Sequence, residues 1–142
     1  LHNDYKLDNL LTDPTNASRC VAILDWDMCT SGDPLMDLGY LLNQWADPDD
    51  PREWIEISSM PTHKPGFPTR AEVIDRYAKR TGFSVDNIRW HFAFAAMRFA
   101  VIIQQIFIRF HRGQTMDHRF ADFDERARVG VHKGIAIADQ QF

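Results

Sequence analysis

Cysteine is scarce, with two residues, Cys20 and Cys29, in a chain of 142. Two thiols build neither a disulfide framework nor a four-ligand zinc site. Positive charge is not in excess. Sixteen Lys and Arg face 20 Asp and Glu, a formal net charge of −4 with a pI near 5.8, which leaves no basic footprint for a nucleic-acid partner. The seven glycines are scattered and make no clustered loop whose backbone N–H groups would cradle phosphates. The longest apolar stretch is broken by Arg98 and Gln104, so no membrane span is expected. Signal-peptide pattern, internal repeats and low-complexity tracts are absent as well, and a cytoplasmic location is the expectation. What is present, 44% hydrophobic and 25% charged residues, suffices for one compact domain with a real core.

The chemistry gathers in the first residues. His2-Asn3-Asp4-Tyr5-Lys6-Leu7-Asp8-Asn9 is followed, a hairpin's length on, by Val21-Ala22-Ile23-Leu24-Asp25-Trp26-Asp27. An aspartate, an asparagine five residues later and an aspartate closing an apolar run are what phosphoryl transfer from ATP asks of a protein. One carboxylate receives the acceptor's proton and two oxygen ligands hold Mg²⁺. Leu10-Leu11-Thr12 and Cys20 to Leu24 read as two short strands, with Asp13-Pro14-Thr15-Asn16 as turn chemistry between them. Asn9 and Asp25 are equally distant from Ala17. Pairing about that centre sets them face to face at the open end of the hairpin, roughly 5 Å apart, with Asp4 looking toward the same point.

The remainder reads as helices. Asp33-Pro34 supplies an N-cap and a first-turn proline, and Leu35, Leu38, Leu41, Leu42 and Trp45 continue at helical spacing to Ala46. Residues 47–68 hold five of the seven prolines and the acidic trio Asp47, Asp49 and Asp50. They read as an irregular loop, either a wall of the acceptor pocket lined by Trp54, Ile55 and Phe67 or a surface excursion. Thr69 and Glu72 form a capping box for a helix running to about Arg80 and stopped by Gly82. The longest helix spans Val85 to about His111, apolar nearly all round in its middle, with Trp90 and His91 as core residues. Arg98, within that run, needs an acidic partner if buried. A last helix is expected from about Asp122 to Gln140, with Phe123, Ala127, Val131, Ile135 and Ala138 inward and Gly130 and Gly134 allowing close helix approach.

The ordered motifs H-N-D-Y-K-L-D-N, I-L-D-W-D, S-G-D-P-L-M-D-L and Gly66-Phe67-Pro68-Thr69-Arg70-Ala71-Glu72 resemble the aminoglycoside phosphotransferase and choline kinase group, distant relatives of protein kinases. Nearest is the branch associated with acyl-CoA dehydrogenases. Asn3 departs from the glycine more usual in that family, and Asp27 from a common glutamate. The resemblance implies an α+β, mainly helical fold, the C-terminal lobe of a protein-kinase-like enzyme with one small β-hairpin. It implies Asp4 as catalytic base with Lys6 beside it, Asn9 and Asp25 as magnesium ligands, and ATP as co-substrate. His2, Asp27 and Asp37 would act in a supporting or substrate-side role, with Asp37 bracing the catalytic loop. Kinase-like enzymes grip ATP with a preceding lobe. Only Leu1 precedes His2 here, so the chain is read as the back half of a larger protein, inactive alone. The implied acceptor is a small-molecule hydroxyl, a hydroxyacyl-CoA in that branch. Aminoglycosides, choline or ethanolamine are alternatives, as is a non-catalytic scaffold. A metal-dependent phosphohydrolase would need several histidines beside the acids, and only His2 is close.

Overall fold

The computed structural model describes residues 1–139, and the expected helix end at Gln140 lies outside them. A short 3-10 turn, Leu7–Asn9, leads into an antiparallel hairpin of β1 (Leu10–Asp13) and β2 (Asn16–Ile23). Helices follow: α1 (Leu35–Gln44), α2 (Arg52–Ile57), α3 (Arg70–Thr81), α4 (Ile88–His111) and α5 (Phe123–Asp139). The fold is mainly helical with one small two-stranded sheet, as expected.

The hairpin turn is made by its own side chains. Asp13 Oδ1 accepts from both the backbone N and the hydroxyl of Thr15 (2.8 and 2.7 Å). The register corrects the expectation. Leu10 pairs with Ile23 and Leu11 with Ala22, but Thr12 pairs with Cys20 and Asp13 with Asn16, so irregularities near the turn place extra residues on β2. At the open end Leu24 N donates to Asn9 O at 2.8 Å. Asn9 therefore stands opposite Leu24, and Asp25 lies one residue beyond. A one-residue slip reverses the face a side chain takes. Here Asp25 then turns the chain with a left-handed φ of +63°.

α1 begins as its sequence dictates, with Asp33 Oδ1 accepting from Leu35 N at 2.9 Å. Leu35, Leu38 and Leu42 point from it into a core completed by Phe92 and Ala96 of α4 and Ile137 of α5. The leucine, isoleucine and phenylalanine side chains each contribute about 1.5–3 kcal/mol on full burial. The helices approach closely where side chains are smallest. A Cβ placed on Gly39 would sit 2.7 Å from the backbone of His91, and one on Gly130 3.1 Å from Ala100 Cβ. Gly130 and Gly134 thus admit α4, as the sequence indicated.

That close approach sets the inward face of α5. Ala127, Gly130, Lys133, Gly134 and Ile137 are buried, whereas Ile135 and Ala138, expected inward, are exposed. Trp90 is likewise not core. It lies on the outer side of α4, 60% exposed and stacked on Phe94, while its neighbour His91 turns inward against Gly39. α4 is long and apolar enough to cross a membrane by length and composition alone. Arg98 and Gln104 do not interrupt it enough to prevent that. Its buried residues, among them Phe92, Ala96 and Ala100, pack against α1 and α5.

The proline-rich stretch is more ordered than its composition implied. Pro51 precedes α2, where its missing N–H is no loss. Thr62 Oγ1 clamps the backbone of Ala46, accepting from its N at 2.8 Å and donating to its O at 3.0 Å. Arg70, at the head of α3, binds Asp50 and donates from Nε to Trp45 O at 2.9 Å, while its own backbone N donates to Asp47 Oδ1 at 3.0 Å. The capping box of Thr69 and Glu72 is formed, and Gly82 ends α3 with φ +72°.

Candidate active site

Asp4 lies on the bend before the 3-10 turn, and its carboxylate is held from three sides. Tyr40 Oη, from α1, donates to Oδ1 at 2.7 Å. Lys6 Nζ and Asn9 Nδ2 each reach Oδ2 at 3.0 Å, and Asn9 Nδ2 also donates to Asp4 O at 2.8 Å. Burial by itself would raise the Asp4 carboxyl. The Tyr40 hydrogen bond and the Lys6 ammonium, helped by Asn9, outweigh it and hold the group below its ordinary value. Asp4 is therefore an anion at neutral pH.

The bend carrying Asp4 is fastened to α1 and to the end of β2. Asp37 accepts from His2 N and Asn3 N, one bond to each carboxylate oxygen, both at 2.7 Å. Hydrogen bonds to a charged group are the stronger kind. His2 Nδ1 accepts from Asp4 N at 3.2 Å, which leaves Nε2 carrying the hydrogen it donates to Leu24 O at 2.7 Å. Asn3 has φ +67° and donates from Nδ2 to Met28 O at 2.8 Å. That left-handed conformation suits glycine and is tolerated by asparagine, which explains why asparagine can stand where the resembled family prefers glycine.

Asn9 is buried, and with its Nδ2 given to Asp4 its Oδ1 makes no hydrogen bond among the described residues. Asp25 and Asp27 are exposed, and neither carboxylate is engaged in a hydrogen bond or ion pair there. The free donors on Asn9 and Asp25 are hard oxygens. Among the described residues no group of three or more His, Cys, Asp or Glu gathers to hold a metal. A cation taken by this pair would complete its shell with phosphate oxygens and water, the usual manner of Mg²⁺. The donor set fits that ion.

The structure thus brings His2, Asp4, Lys6, Asn9 and Asp37 into one network, with Asp25 and Asp27 beyond the end of β2. Sequence reasoning missed Tyr40. The signal was its position three residues after Asp37, on the same face of α1. Met60 was missed too; its Sδ accepts from Leu7 N at 3.4 Å, which ties the proline-rich stretch to the 3-10 turn that follows Asp4. Arg98 does not hold an acidic residue. Its Cζ lies 5.6 Å from the Tyr40 ring centroid, and no carboxylate pairs with it among the described residues. Trp54 lines a separate cavity with Leu42, Arg70, Ile74 and Phe92. At 100° per residue, Leu42 lies about 140–160° around α1 from Asp37 and Tyr40, so that cavity opens behind the helix.

Known proteins resemble this chain. The family model described as the phosphotransferase enzyme family matches residues 1–91. The chain is 32% identical over 115 residues to acyl-CoA dehydrogenase family member 10 of Mus musculus, covering 80% of this chain and 11% of that protein. It is 31% identical over 148 residues to acyl-CoA dehydrogenase family member 11 of Pongo abelii, covering 100% of this chain and 18% of that protein. A crystal structure of a putative aminoglycoside phosphotransferase from Ralstonia eutropha JMP134 superposes with a TM-score of 0.82 at 32% identity, over 99% of this chain and 43% of that one. The chain spans less than a fifth of these curated relatives and under half of that solved structure. On the family match and this structural likeness, the chain belongs to the phosphotransferase enzyme family and has a kinase-like fold.

Proposed function

We propose that this chain is the catalytic-loop lobe of an ATP- and Mg²⁺-dependent phosphotransferase that acts on the hydroxyl of a hydroxyacyl compound, a hydroxyacyl-CoA among them. One observation carries the reading. The Asp4 anion is gripped by Tyr40, Lys6 and Asn9 while Asn9 Oδ1 and Asp25 stay open. Asp4 orients the acceptor hydroxyl and takes its proton as the acceptor oxygen bonds to the γ-phosphorus and the bond to the ADP oxygen breaks. Lys6, beside it, offsets charge on the transferring group. Asn9 and Asp25 would hold Mg²⁺, which when bound neutralises phosphate charge; Asp27, two residues on, adds a further carboxylate, and His2 and Asp37 keep the bend in place.

A preceding lobe would grip ATP. Its support is the uncovered apolar surface of the hairpin region, where Leu11, Val21, Leu24 and Trp26 are each about half exposed, between 47% and 51%. The acyl acceptor is supported by the likeness to the acyl-CoA dehydrogenase family members. An aminoglycoside acceptor has in its favour the likeness to the superposed putative aminoglycoside phosphotransferase. A polycation needs free carboxylates; in the acidic loop Asp47 and Asp50 are occupied by Arg70, while Asp25 and Asp27 at the site stay open. The test joins this chain to an ATP-gripping lobe and offers ATP and Mg²⁺ with hydroxyacyl-CoAs, choline or an aminoglycoside. Mass spectrometry of the acceptor should show one added phosphoryl group on the hydroxyacyl-CoA. Phosphorylation of none of the three overturns the reading.

A further inference from the structure

Resting on that reading of Asp4, we propose that Tyr40 is the positioning residue of this site, and that Arg98 acts through it. Together they fix the Asp4 carboxylate so that the acceptor hydroxyl meets Oδ1.

An ionised carboxylate offers about four lone-pair directions, two on each oxygen. Oδ2 is filled, one direction by Lys6 Nζ and one by Asn9 Nδ2, each at 3.0 Å. Oδ1 receives Tyr40 Oη alone, at 2.7 Å. The one open direction is on Oδ1, beside the tyrosine hydroxyl, and the proton leaving the acceptor has only that place to go. Rotation of the carboxylate about its Cβ–Cγ bond would bring a filled oxygen forward. The Tyr40 bond on one side and the Lys6–Asn9 pair on the other oppose that rotation.

Tyr40 can hold a carboxylate because it is itself held. It is 8% exposed on α1, one turn after the Asp37 that fastens the bend. Burial first, and then the Asp4 charge, push its phenol well above the ordinary tyrosine range, so the hydroxyl stays a donor at any working pH. The Arg98 guanidinium lies over the ring, Cζ 5.6 Å from the centroid, within the range of a cation–π contact. No carboxylate competes for it among the described residues. Arg98 is half-buried in the apolar run of α4, which turns its charge toward the ring. It thus closes a path from α4 through α1 to the base.

The test uses the chain joined to its ATP-gripping lobe, with hydroxyacyl-CoA, ATP and Mg²⁺. Variants are Tyr40→Phe, Arg98→Met, Arg98→Lys, the double variant Tyr40→Phe/Arg98→Met, and Asp4→Asn as the control on the base. A hydrogen bond to a charged group is lost in Tyr40→Phe, so kcat should fall on the order of 10–100-fold with KM for ATP unchanged. Arg98→Met should fall less, and Arg98→Lys should recover most of that loss by keeping a cation over the ring. The double variant should be no slower than Tyr40→Phe, because Arg98 has nothing to act on once the hydroxyl is gone. A simple packing defect would instead give losses that multiply, and that result overturns the proposal. If Asp4→Asn is inactive while Tyr40→Phe stays within about twofold of the parent kcat, the base survives and the positioning role is refuted. Parental activity in Asp4→Asn refutes both.

Discussion

Lys133 gives the sharpest stability prediction. It is fully buried on α5, where its Nζ donates to Asn43 O at 2.8 Å and lies 5.4 and 5.6 Å from the ring centroids of Trp54 and Phe92. Burial, and then the nearby Arg70 charge, lower its pKa from 10.5 to about 7, against the weaker pull of Asp50 and Asp47. The unfolded chain keeps this proton up to about 10.5, whereas the folded chain releases it near 7. Between those values the unfolded state binds more protons, so stability rises with pH. The penalty is fully present below pH 7 and fades toward pH 10.5. Raising the pH from 7 to 9 should relieve about 2 kcal/mol from this one group. Lys133→Met removes the titration and keeps an apolar stem of similar length. Urea unfolding of parent and variant at both pH values separates this group from all others that titrate. The parent should gain about 2 kcal/mol more than the variant between the two conditions. Equal gains would show that Lys133 is not a depressed buried amine.

Three other substitutions probe the frame of the site. Asp37→Asn replaces a charged double acceptor with a single neutral one, so backbone amides 2 and 3 should exchange on the order of 10–100-fold faster, read by hydrogen–deuterium exchange; unchanged protection would deny Asp37 its bracing role. Gly39→Ala would put a methyl 2.7 Å from the backbone of His91, and thermal or urea unfolding should show a loss of about 1–3 kcal/mol. No loss would mean that α1 and α4 can part without strain. Asp25→Asn in the two-lobe protein should raise the Mg²⁺ concentration needed for half-maximal activity, because a charged oxygen ligand is lost; a parental Mg²⁺ titration would remove Asp25 from the metal site.

Local rules were legible in the sequence, and contacts between distant segments were not. The Thr69–Glu72 capping box and the Gly82 stop depend on residues three apart or on a single backbone angle, and both are formed. The Asp33-Pro34 helix start is of the same kind. The hairpin register differs by one residue from the symmetric pairing because irregularities at Thr12 and Asp13 add residues to β2 alone, and no composition rule counts them. α2 was hidden by the prolines around it, since Pro51 marks a helix start as readily as a loop. On α5, Val131, Ile135 and Ala138 formed an apolar stripe, but the close approach permitted by Gly130 and Gly134 chose a different face and buried Lys133. At the site, the residues of the bend were visible because their order is itself the motif. Tyr40 reaches Asp4 from the face of α1 that it shares with Asp37, a spacing the sequence does carry, whereas Arg98 meets the Tyr40 ring only through the packing of α4 on α1, which spacing along the chain does not encode.

The central claim is that Asp4 takes the acceptor's proton. The most direct measurement is kcat for Asp4→Asn beside the parent, in the chain joined to an ATP-gripping lobe. Asparagine preserves size and an oxygen for Tyr40 to reach, but it cannot serve as the base. A positioned base contributes about 10²–10⁴-fold, and kcat should fall by that factor while nucleotide affinity and unfolding midpoint stay near the parent's. Near-parental turnover by Asp4→Asn would contradict the account.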